Sequence, residues 1–199
     1  NVFSRMSRWV THVATDPRPD VGHRGSFGTG NGHVFGFVGL DYPLNTLHSL
    51  IGPTYERKNE RFFGDYQIFL NDEGSAAMQP FDEEWAARSL SAPVLVTRGR
   101  RGEIELDTAD FAPVAPGDAA LESCFLRVLT ARNRGPAPSP ALEIVVDPHN
   151  GVRSPEPGVL LEGADPRGLT TRFDAAGAVF RSDHLLVLPI GALAAEEEK

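Results

Sequence analysis

The feature of this chain that most constrains its fold is a succession of short apolar runs, each bounded by glycine, proline, asparagine or aspartate. The runs hold mainly valine, isoleucine, leucine and phenylalanine, and turn signals recur about every 8 to 14 residues. Such runs between Gly/Pro turns are typical of antiparallel sheets that pack face to face or close into a barrel. The sequence therefore predicts an all-β fold, an antiparallel β-sandwich with few short helices.

Neighbouring runs predict hairpins. Residues 92–114 contain two strand-like runs around a glycine-containing tip. The arginine-rich residues 98–102 are predicted to form a solvated turn at that tip rather than an anion site. Residues 123–133 and 141–148 predict two further strands, joined by a proline-rich connection. The carboxyl-terminal part of the chain predicts three more.

Helix is expected at few places. Residues 81–90 begin with acidic side chains, which favour a helix amino terminus, so one or two helical turns are predicted there. Residues 43–52 predict a short helical turn ended by glycine. Residues 191–199 are predicted to be a linker, or the start of a missing following domain that begins as helix. Residues 1–190 are then a single β-sandwich domain.

Charge and composition exclude some classes of partner. The chain of 199 residues carries 27 acidic and 19 basic side chains, a net charge of −8. A phosphate-binding face needs a basic excess, so we expect no nucleic-acid partner. No stretch approaches the roughly 20 apolar residues of a membrane span, and we expect no membrane partner.

The single cysteine and the histidines indicate no metal site and no cofactor. Cys124 lies in an apolar alternating run and is predicted to be a buried core thiol, since no partner for a disulfide exists. The six histidines show no helical metal-ligand spacing. A single thiol does not decide the cellular compartment, because it fits the cytosol and many exported bacterial proteins alike. The cytosol is slightly favoured.

Residues 28–70 form a segment unusually rich in glycine and aromatic side chains. Its first glycines are not a dinucleotide fingerprint, because they lead into a strand-like run rather than a helix. We predict a tight turn with positive backbone angles at Gly30, Asn31 and Gly32.

The aromatic residues of this segment divide into two groups. Phenylalanines within strand-like runs are predicted to be core, whereas tyrosines beside prolines and charged residues are predicted to lie on a rim. Such a rim suits either the apolar face of a sugar or an interface with another domain, and both alternatives stay open. The predicted core rings are Phe35, Phe37 and Phe69, and the predicted rim rings are Tyr42, Tyr55 and Tyr66.

Catalysis within this chain has no support in its motifs. The Gly-x-Ser-x-Gly nucleophile pattern is absent, and the carboxylates are scattered without a recognisable pair. We therefore predict that the 199-residue chain is not catalytic by itself.

The turn at Gly30, Asn31 and Gly32, followed by the apolar run of residues 33–40, resembles the amino-terminal β-supersandwich domain of enzymes with an (α/α)6 barrel. These enzymes are glucoamylase-like hydrolases and disaccharide phosphorylases acting on maltose, trehalose, kojibiose or cellobiose. Residues 125–146, with an Arg-x-Leu-x-x-x-Asn run before a loop, resemble their sandwich strands. The resemblance extends over about 180 residues.

The resemblance implies a supporting role in a parent glycoside hydrolase or phosphorylase. The general acid of that family lies in the helical barrel, which this chain lacks, so no catalytic residue carries over. The implied partners are that barrel and an oligosaccharide or disaccharide, and the implied sugar contacts are Asn31, Tyr55, Arg57 and Tyr66. A free-standing carbohydrate-binding module and a structural interaction domain are the alternatives.

Overall fold

Almost all regular structure among the residues described by the computed structural model is β-strand, and the all-β prediction is confirmed. The structure describes residues 11–14, 26–39, 43–51, 66–88, 92–148, 152–156, 159–162, 170–172, 177–182 and 185–199. The elements are β1 (Thr11–Ala14), β2 (Ser26–Gly30), β3 (Phe35–Gly39), β4 (Leu47–Ile51), β5 (Tyr66–Asp72), β6 (Glu83–Arg88), β7 (Leu95–Arg101), β8 (Ile104–Phe111), α1 (Ala119–Glu122), β9 (Leu126–Asn133), β10 (Ala141–Pro148), β11 (Val152–Glu156), β12 (Val159–Glu162), β13 (Thr170–Arg172), β14 (Val179–Ser182) and β15 (Leu185–Ala192).

Two antiparallel sheets form the sandwich. The five-stranded sheet has the order β1-β6-β7-β8-β9, and the seven-stranded sheet has the order β14-β15-β10-β5-β4-β3-β2. A separate three-stranded sheet contains β11, β12 and β13. The predicted hairpin of residues 92–114 is confirmed as β7 and β8, and the two strands predicted around the proline-rich connection are confirmed as β9 and β10.

The core lies between the two large sheets and follows from side-chain alternation. On β8, Ile104 and Leu106 face the other sheet and are buried, while Glu105 and Asp107 point to the outer face. Leu70 on β5 and Leu142 on β10 contribute to the core from the seven-stranded sheet. These two leucines belong to the same buried cluster as Ile104 and Leu106. Burial of this apolar face is the main term that holds the sheets together.

The outer face of the seven-stranded sheet is also covered at its centre. Phe69, Val145 and Val187 are buried there on three adjacent strands, and Met78 packs against them. The predicted burial of Phe69 is confirmed. The central strands β5 and β10 therefore bury apolar side chains on both faces of the sheet. This explains why their apolar runs are nearly continuous.

Residues 81–90 were the main helix prediction, and it is wrong. Glu83–Arg88 form β6, which pairs with β1 and β7, and residues 89 and 90 lie outside the described residues. Each acidic side chain has a tertiary partner: Glu83 pairs with Arg100 at 2.6 Å, and buried Glu84 accepts from the Leu44 N–H. Pairing between two strands outweighs a weak local helix preference.

The helical turn predicted for residues 43–52 is also wrong. Residues 43–46 form a turn in which the Thr46 N–H donates to the Pro43 carbonyl at 2.9 Å and the Thr46 hydroxyl to the same oxygen at 2.6 Å. The chain then enters β4. Gly52, the expected helix terminator, lies outside the described residues.

Residues 191–199 pack onto the sandwich in part. β15 continues to Ala192, and Leu193 is buried in the main core. The last residues then run beside β9: the Ala131 N–H donates to the Lys199 carbonyl, and the Lys199 N–H donates back, both at 2.8 Å. Asn133 makes a similar bond to Glu197. No helix forms here in the described chain.

Candidate functional site

The turn at residues 30–32 joins β2 to β3 and is held by the Asn31 side chain. Its amide nitrogen donates to the carbonyls of Pro113 (2.6 Å) and Glu122 (2.9 Å). Its Oδ1 accepts from the N–H groups of His33 and Val34, both at 2.9 Å. All four hydrogen-bonding positions of an asparagine amide are thus used within the chain. The hairpin tip is tied to the connection between β8 and β9.

The backbone of this turn differs from the prediction in one respect. A tight turn is present, but of its three residues only Gly32 has a positive φ, at 98°. Asn31 keeps ordinary backbone angles because its side chain, rather than a left-handed backbone, closes the turn. The Asn31 N–H also donates to the Val34 carbonyl, at 3.2 Å.

Glycine and phenylalanine alternate in this region because the rings need the space that a side chain would fill. Gly28 lies opposite Phe37 and Gly30 lies opposite Phe35 in the β2–β3 ladder. A Cβ atom placed on Gly28 would come within 3.2 Å of the Phe37 ring. The rings therefore cover the glycine backbone of the edge strand, an arrangement that stabilises glycine in sheets.

Two of the phenylalanines predicted to be buried in the core are more exposed than expected. Phe35 is 40% exposed, so its predicted burial is wrong, and Phe37 is only partly buried. Both point to the outer face of the seven-stranded sheet near its β2 edge, away from the central cluster around Phe69. At an edge, one side of a ring has no neighbouring strand to cover it.

The predicted sugar contacts are placed as follows. Asn31 is at the hairpin tip, as described. Tyr66 begins β5, is 4% exposed and belongs to the main core cluster, so it is not a rim residue in this structure. The other predicted contacts and the remaining rim candidate lie outside the described residues; they are Tyr55, Arg57 and Tyr42. Of the two predicted contacts that the structure describes, Asn31 lies at the hairpin tip and Tyr66 lies in the main core.

Three side chains beside the hairpin tip present groups to solvent. The His33 Nε2 atom lies 3.9 Å from Oε2 of Glu122, and the His33 side chain is 51% exposed. Phe35 is next along β3. The tip therefore brings an imidazole and a carboxylate together, and the exposed Phe35 ring lies on the outer face of the adjoining strand. The proximity of His33 to Glu122 had no signal in the sequence, because the bonds from Asn31 join the tip to the 113–122 connection.

A buried ion pair lies on the core side of the five-stranded sheet. Asp110 on β8 is 0% exposed and faces Arg127 on β9 in the ladder. The Arg127 Nε donates to Asp110 Oδ1 at 2.6 Å and Nη2 to Oδ2 at 3.3 Å. Nη2 also donates to the Asn45 carbonyl. The pair therefore ties the 43–46 turn to the opposite sheet.

The ionisation of Asp110 reflects its burial. Loss of hydration raises the pKa of the Asp110 carboxyl above its ordinary value, and the Arg127 charge and hydrogen bonds oppose that rise without cancelling it. The sequence contained a signal for this pair: Asp110 follows Leu106 and Thr108 at alternating positions, so it had to face the core.

The outer face of the same sheet carries a ladder of ion pairs. Arg98 binds Asp107 through Nε at 2.6 Å and Glu105 at 3.2 Å, and Arg132 reaches Asp107 from β9. The hydrogen bond and charge of Glu198 and those of Asp107 raise the pKa of Arg132. Arg98 is therefore inside β7 and not in the predicted tip, which Gly102 and Glu103 form.

The other half of this outer face is apolar and ends at an exposed edge. Ala87, Val96, Ala109 and Val128 occupy one row across β6, β7, β8 and β9. Val128 is 50% exposed and Leu126, also on β9, is 38% exposed. β9 is the last strand of its sheet. The name β9 edge is used for the side of Leu126–Asn133 that points away from β8.

Cys124 corrects another prediction. It is partly exposed rather than a core thiol, and its Sγ donates to the Ala120 carbonyl at 3.1 Å. The following residue, the partly buried Phe125, packs against the core and fills the space beside Gly36. A one-residue shift at the start of β9 thus separates the thiol from the core.

Within the described part of the chain, no three histidine, cysteine, aspartate or glutamate side chains converge in a way that would hold a metal ion. The described residues also contain no helix that is long and apolar enough to cross a membrane. Comparison of the sequence with protein-family models and with curated proteins finds no match.

Proposed function

We propose that this chain is the non-catalytic β-sandwich domain of a glycoside hydrolase or disaccharide phosphorylase, and that it supports the sugar pocket of a helical barrel. The observation that carries the proposal is the Asn31 side chain, whose four hydrogen bonds join the hairpin tip to the connection at Pro113 and Glu122. A loop held in this way keeps its position when it contacts a neighbouring domain.

The groups at the tip suit contact with a carbohydrate. Phe35 offers an exposed ring for the apolar C–H face of a sugar, and His33 and Glu122 offer hydrogen-bonding atoms for its hydroxyls. Asn31 supports the tip instead of donating to the ligand, because its amide is already occupied. In this proposal the role first predicted for Asn31 becomes a positioning role.

The buried carboxylates of the described sandwich have structural partners. Asp110 is held by Arg127, Asp107 by Arg98, and Glu143 by Arg181 at 2.6 Å. Each of these carboxylates is engaged by an arginine of the same fold. These contacts favour a supporting role for the sandwich, with the general acid supplied elsewhere in the parent protein.

The proposal is tested with the intact protein purified from its source. We expect it to be heavier than the 21.6 kDa of this chain and to hydrolyse or phosphorolyse maltose, trehalose, kojibiose or cellobiose. The separate 199-residue chain is expected to turn over none of them. An intact protein without activity on any of the four, or turnover by the 199-residue chain alone, contradicts the proposal.

Substitutions at the tip test the supporting role. In the intact protein, His33→Ala and Phe35→Ala are expected to raise KM by about tenfold with little change in unfolding, because both side chains are exposed. Val179→Ala, on the edge strand β14, is the matched exposed control and should leave KM unchanged. Unchanged KM in both tip variants contradicts a role for the tip at the sugar pocket.

A further inference from the structure

Four polar side-chain atoms in the interior between the two large sheets have no hydrogen-bond partner among the described residues. They are Asn45 Oδ1, the Thr97 and Thr108 hydroxyl oxygens, and Arg127 Nη1. Asn45 is 4% exposed, Thr97 1% and Thr108 0%, so bulk solvent does not reach them. A buried polar atom that bonds to nothing lowers stability, and such atoms are few in native proteins, so these four call for a partner.

Three of the four atoms come from neighbouring positions on one face of the five-stranded sheet. Thr97 on β7 lies directly opposite Thr108 on β8. Asp110 follows two residues along β8 on the same face, and Arg127 on β9 lies opposite it. Arg127 is therefore a diagonal neighbour of Thr108, a separation that a long side chain can span.

The turn of residues 43–46 brings the fourth atom to the same place. The Leu44 N–H donates to Glu84 on β6, and the Asn45 carbonyl accepts from Arg127 on β9. β7 and β8 lie between those two strands. The turn therefore crosses the part of the sheet that carries the two threonines.

The side-chain pattern of β8 changes at this point. Ile104 and Leu106, on its core face, pack in the main apolar cluster, whereas Thr108 and Asp110 continue the same face with polar groups. All of these side chains are interior, so the β9 edge takes no part. A polar region is thus enclosed between the 43–46 turn and the sheet.

We propose that this region is a binding site for ordered water, which bridges the hydroxyls of Thr97 and Thr108 to Asn45 Oδ1 and Arg127 Nη1. Water donates two hydrogen bonds and accepts two. Arg127 Nη1 can only donate and Asn45 Oδ1 can only accept, while each hydroxyl can do either. Buried water typically makes about three such bonds. The inference does not depend on the proposed function.

The assignment of the Asn45 oxygen is supported by its neighbouring nitrogen. The Asn45 amide nitrogen donates to the Ile68 carbonyl at 3.1 Å. A carbonyl can only accept, so the nitrogen belongs on that side of the amide and the oxygen is the unused atom.

The local charge favours water over an ion. The Arg127 guanidinium disfavours a cation at this place. The Asp110 carboxyl, whose Oδ1 lies 2.6 Å from Arg127 Nε, offsets the arginine charge and disfavours an anion. A small neutral molecule that both donates and accepts fits this balance, and water is such a molecule.

Diffraction from crystals of the intact protein tests the site directly. We expect density for water within about 2.7 to 3.2 Å of at least three of the four atoms. A site without density overturns the inference, as does a direct hydrogen bond between the Thr97 and Thr108 hydroxyls. Crystals soaked in bromide distinguish a halide, and an anomalous peak at this position also overturns the inference.

Urea unfolding of Thr108→Val tests the same site in solution, because valine has nearly the shape of threonine without its hydroxyl. If the hydroxyl bonds to water, the variant loses that bond, and its unfolding equilibrium constant is expected to rise about fivefold. If the hydroxyl is unbonded, the variant loses only a desolvated polar group, and the constant falls. A constant that is unchanged or lower in T108V overturns the inference.

Thr46→Val is the matched control for that measurement. The Thr46 hydroxyl is also fully buried, and it donates to the Pro43 carbonyl at 2.6 Å. Its replacement removes a hydrogen bond within the protein, so the unfolding constant should rise by a similar factor. A T108V effect of the same sign and size as that of T46V is the result expected for a bonded hydroxyl.

Discussion

Arg127 and Asp110 form a two-point ion pair in the interior, with Nε 2.6 Å from Oδ1 and Nη2 3.3 Å from Oδ2. The pair joins two adjacent strands, and its remaining bond reaches Asn45 in the turn before β4. One guanidinium therefore connects both sheets of the sandwich. The contribution of this pair to the unfolding free energy depends on the ionisation of Asp110. Burial raises the pKa of that carboxyl and so opposes its ionisation.

Replacing Arg127 with methionine should destabilise the protein strongly at neutral pH. The change removes the countercharge of a fully buried carboxylate, and breaking such a pair costs about 3 to 5 kcal/mol of unfolding free energy. Arg134→Met is the control, because the Arg134 pair with Glu105 is partly exposed and is worth about 0 to 1 kcal/mol. Urea unfolding at pH 7 measures both, and equal losses would contradict the expectation.

The stability contributed at Asp110 should fall as pH rises. Its pKa is higher in the folded protein than in the unfolded chain, so the folded state binds more protons between the two values. The unfolding free energy therefore decreases from the ordinary carboxyl pKa through the raised one. Asp110→Asn lacks this titration.

We expect the stability of the wild type relative to D110N to be level at low pH and to decline across that window, in urea unfolding from about pH 3 to pH 9. Glu73→Asn, on the exposed surface, controls for the general effect of removing a carboxylate. A wild type that gains stability relative to D110N as pH rises would mean that attraction to Arg127 exceeds the cost of burial.

Gly99→Ala should destabilise the five-stranded sheet. A Cβ at this position would lie 2.6 Å from ring atoms of Phe81, which is buried and cannot swing away. Overpacking of a buried ring costs about 1 to 3 kcal/mol. Gly28→Ala is the milder control, because its Cβ would be 3.2 Å from the partly exposed Phe37 ring. Thermal unfolding compares the two, and the double variant Gly99→Ala, Phe81→Leu should recover part of the loss.

Asn31→Asp should loosen the hairpin tip. It keeps the acceptor for His33 and Val34 but replaces the amide donor, so a carboxylate then faces the Pro113 and Glu122 carbonyls. The loss of two donated hydrogen bonds at a part-buried site is expected to cost about 1 to 3 kcal/mol. Hydrogen exchange at the tip and urea unfolding measure the effect. A loss confined to sugar affinity, with stability unchanged, would show instead that Asn31 contacts the ligand.

Much of the sandwich could be predicted because its strands repeat one local pattern. The β7–β8 hairpin and the β9–β10 pair were each indicated by alternating apolar residues bounded by turn residues. The failures occurred where that alternation was weak. For the residues of β6, the acidic side chains at the start led to the helix prediction. In the structure Trp85 and Ala86 lie on opposite faces of a strand, as alternation requires.

The candidate site was less predictable than the fold. Asn31 was singled out for its place in a glycine-rich turn, yet its role follows from carbonyls 82 and 91 positions further along the chain. Tyr66 was expected at a rim because of its charged neighbours, and the strand that begins with it turns the ring into the core. Such contacts have no local signature, because they depend on which strands become neighbours.

By itself the sequence determined that the chain forms antiparallel strands with one apolar face, since side-chain alternation and turn residues act over a few positions. Only the tertiary structure decided which glycines leave space for Phe37 and Phe81, which carboxylates meet an arginine, and that residues 197–199 run beside β9. Those outcomes depend on contacts between residues far apart in the chain, which form only when the two sheets pack together.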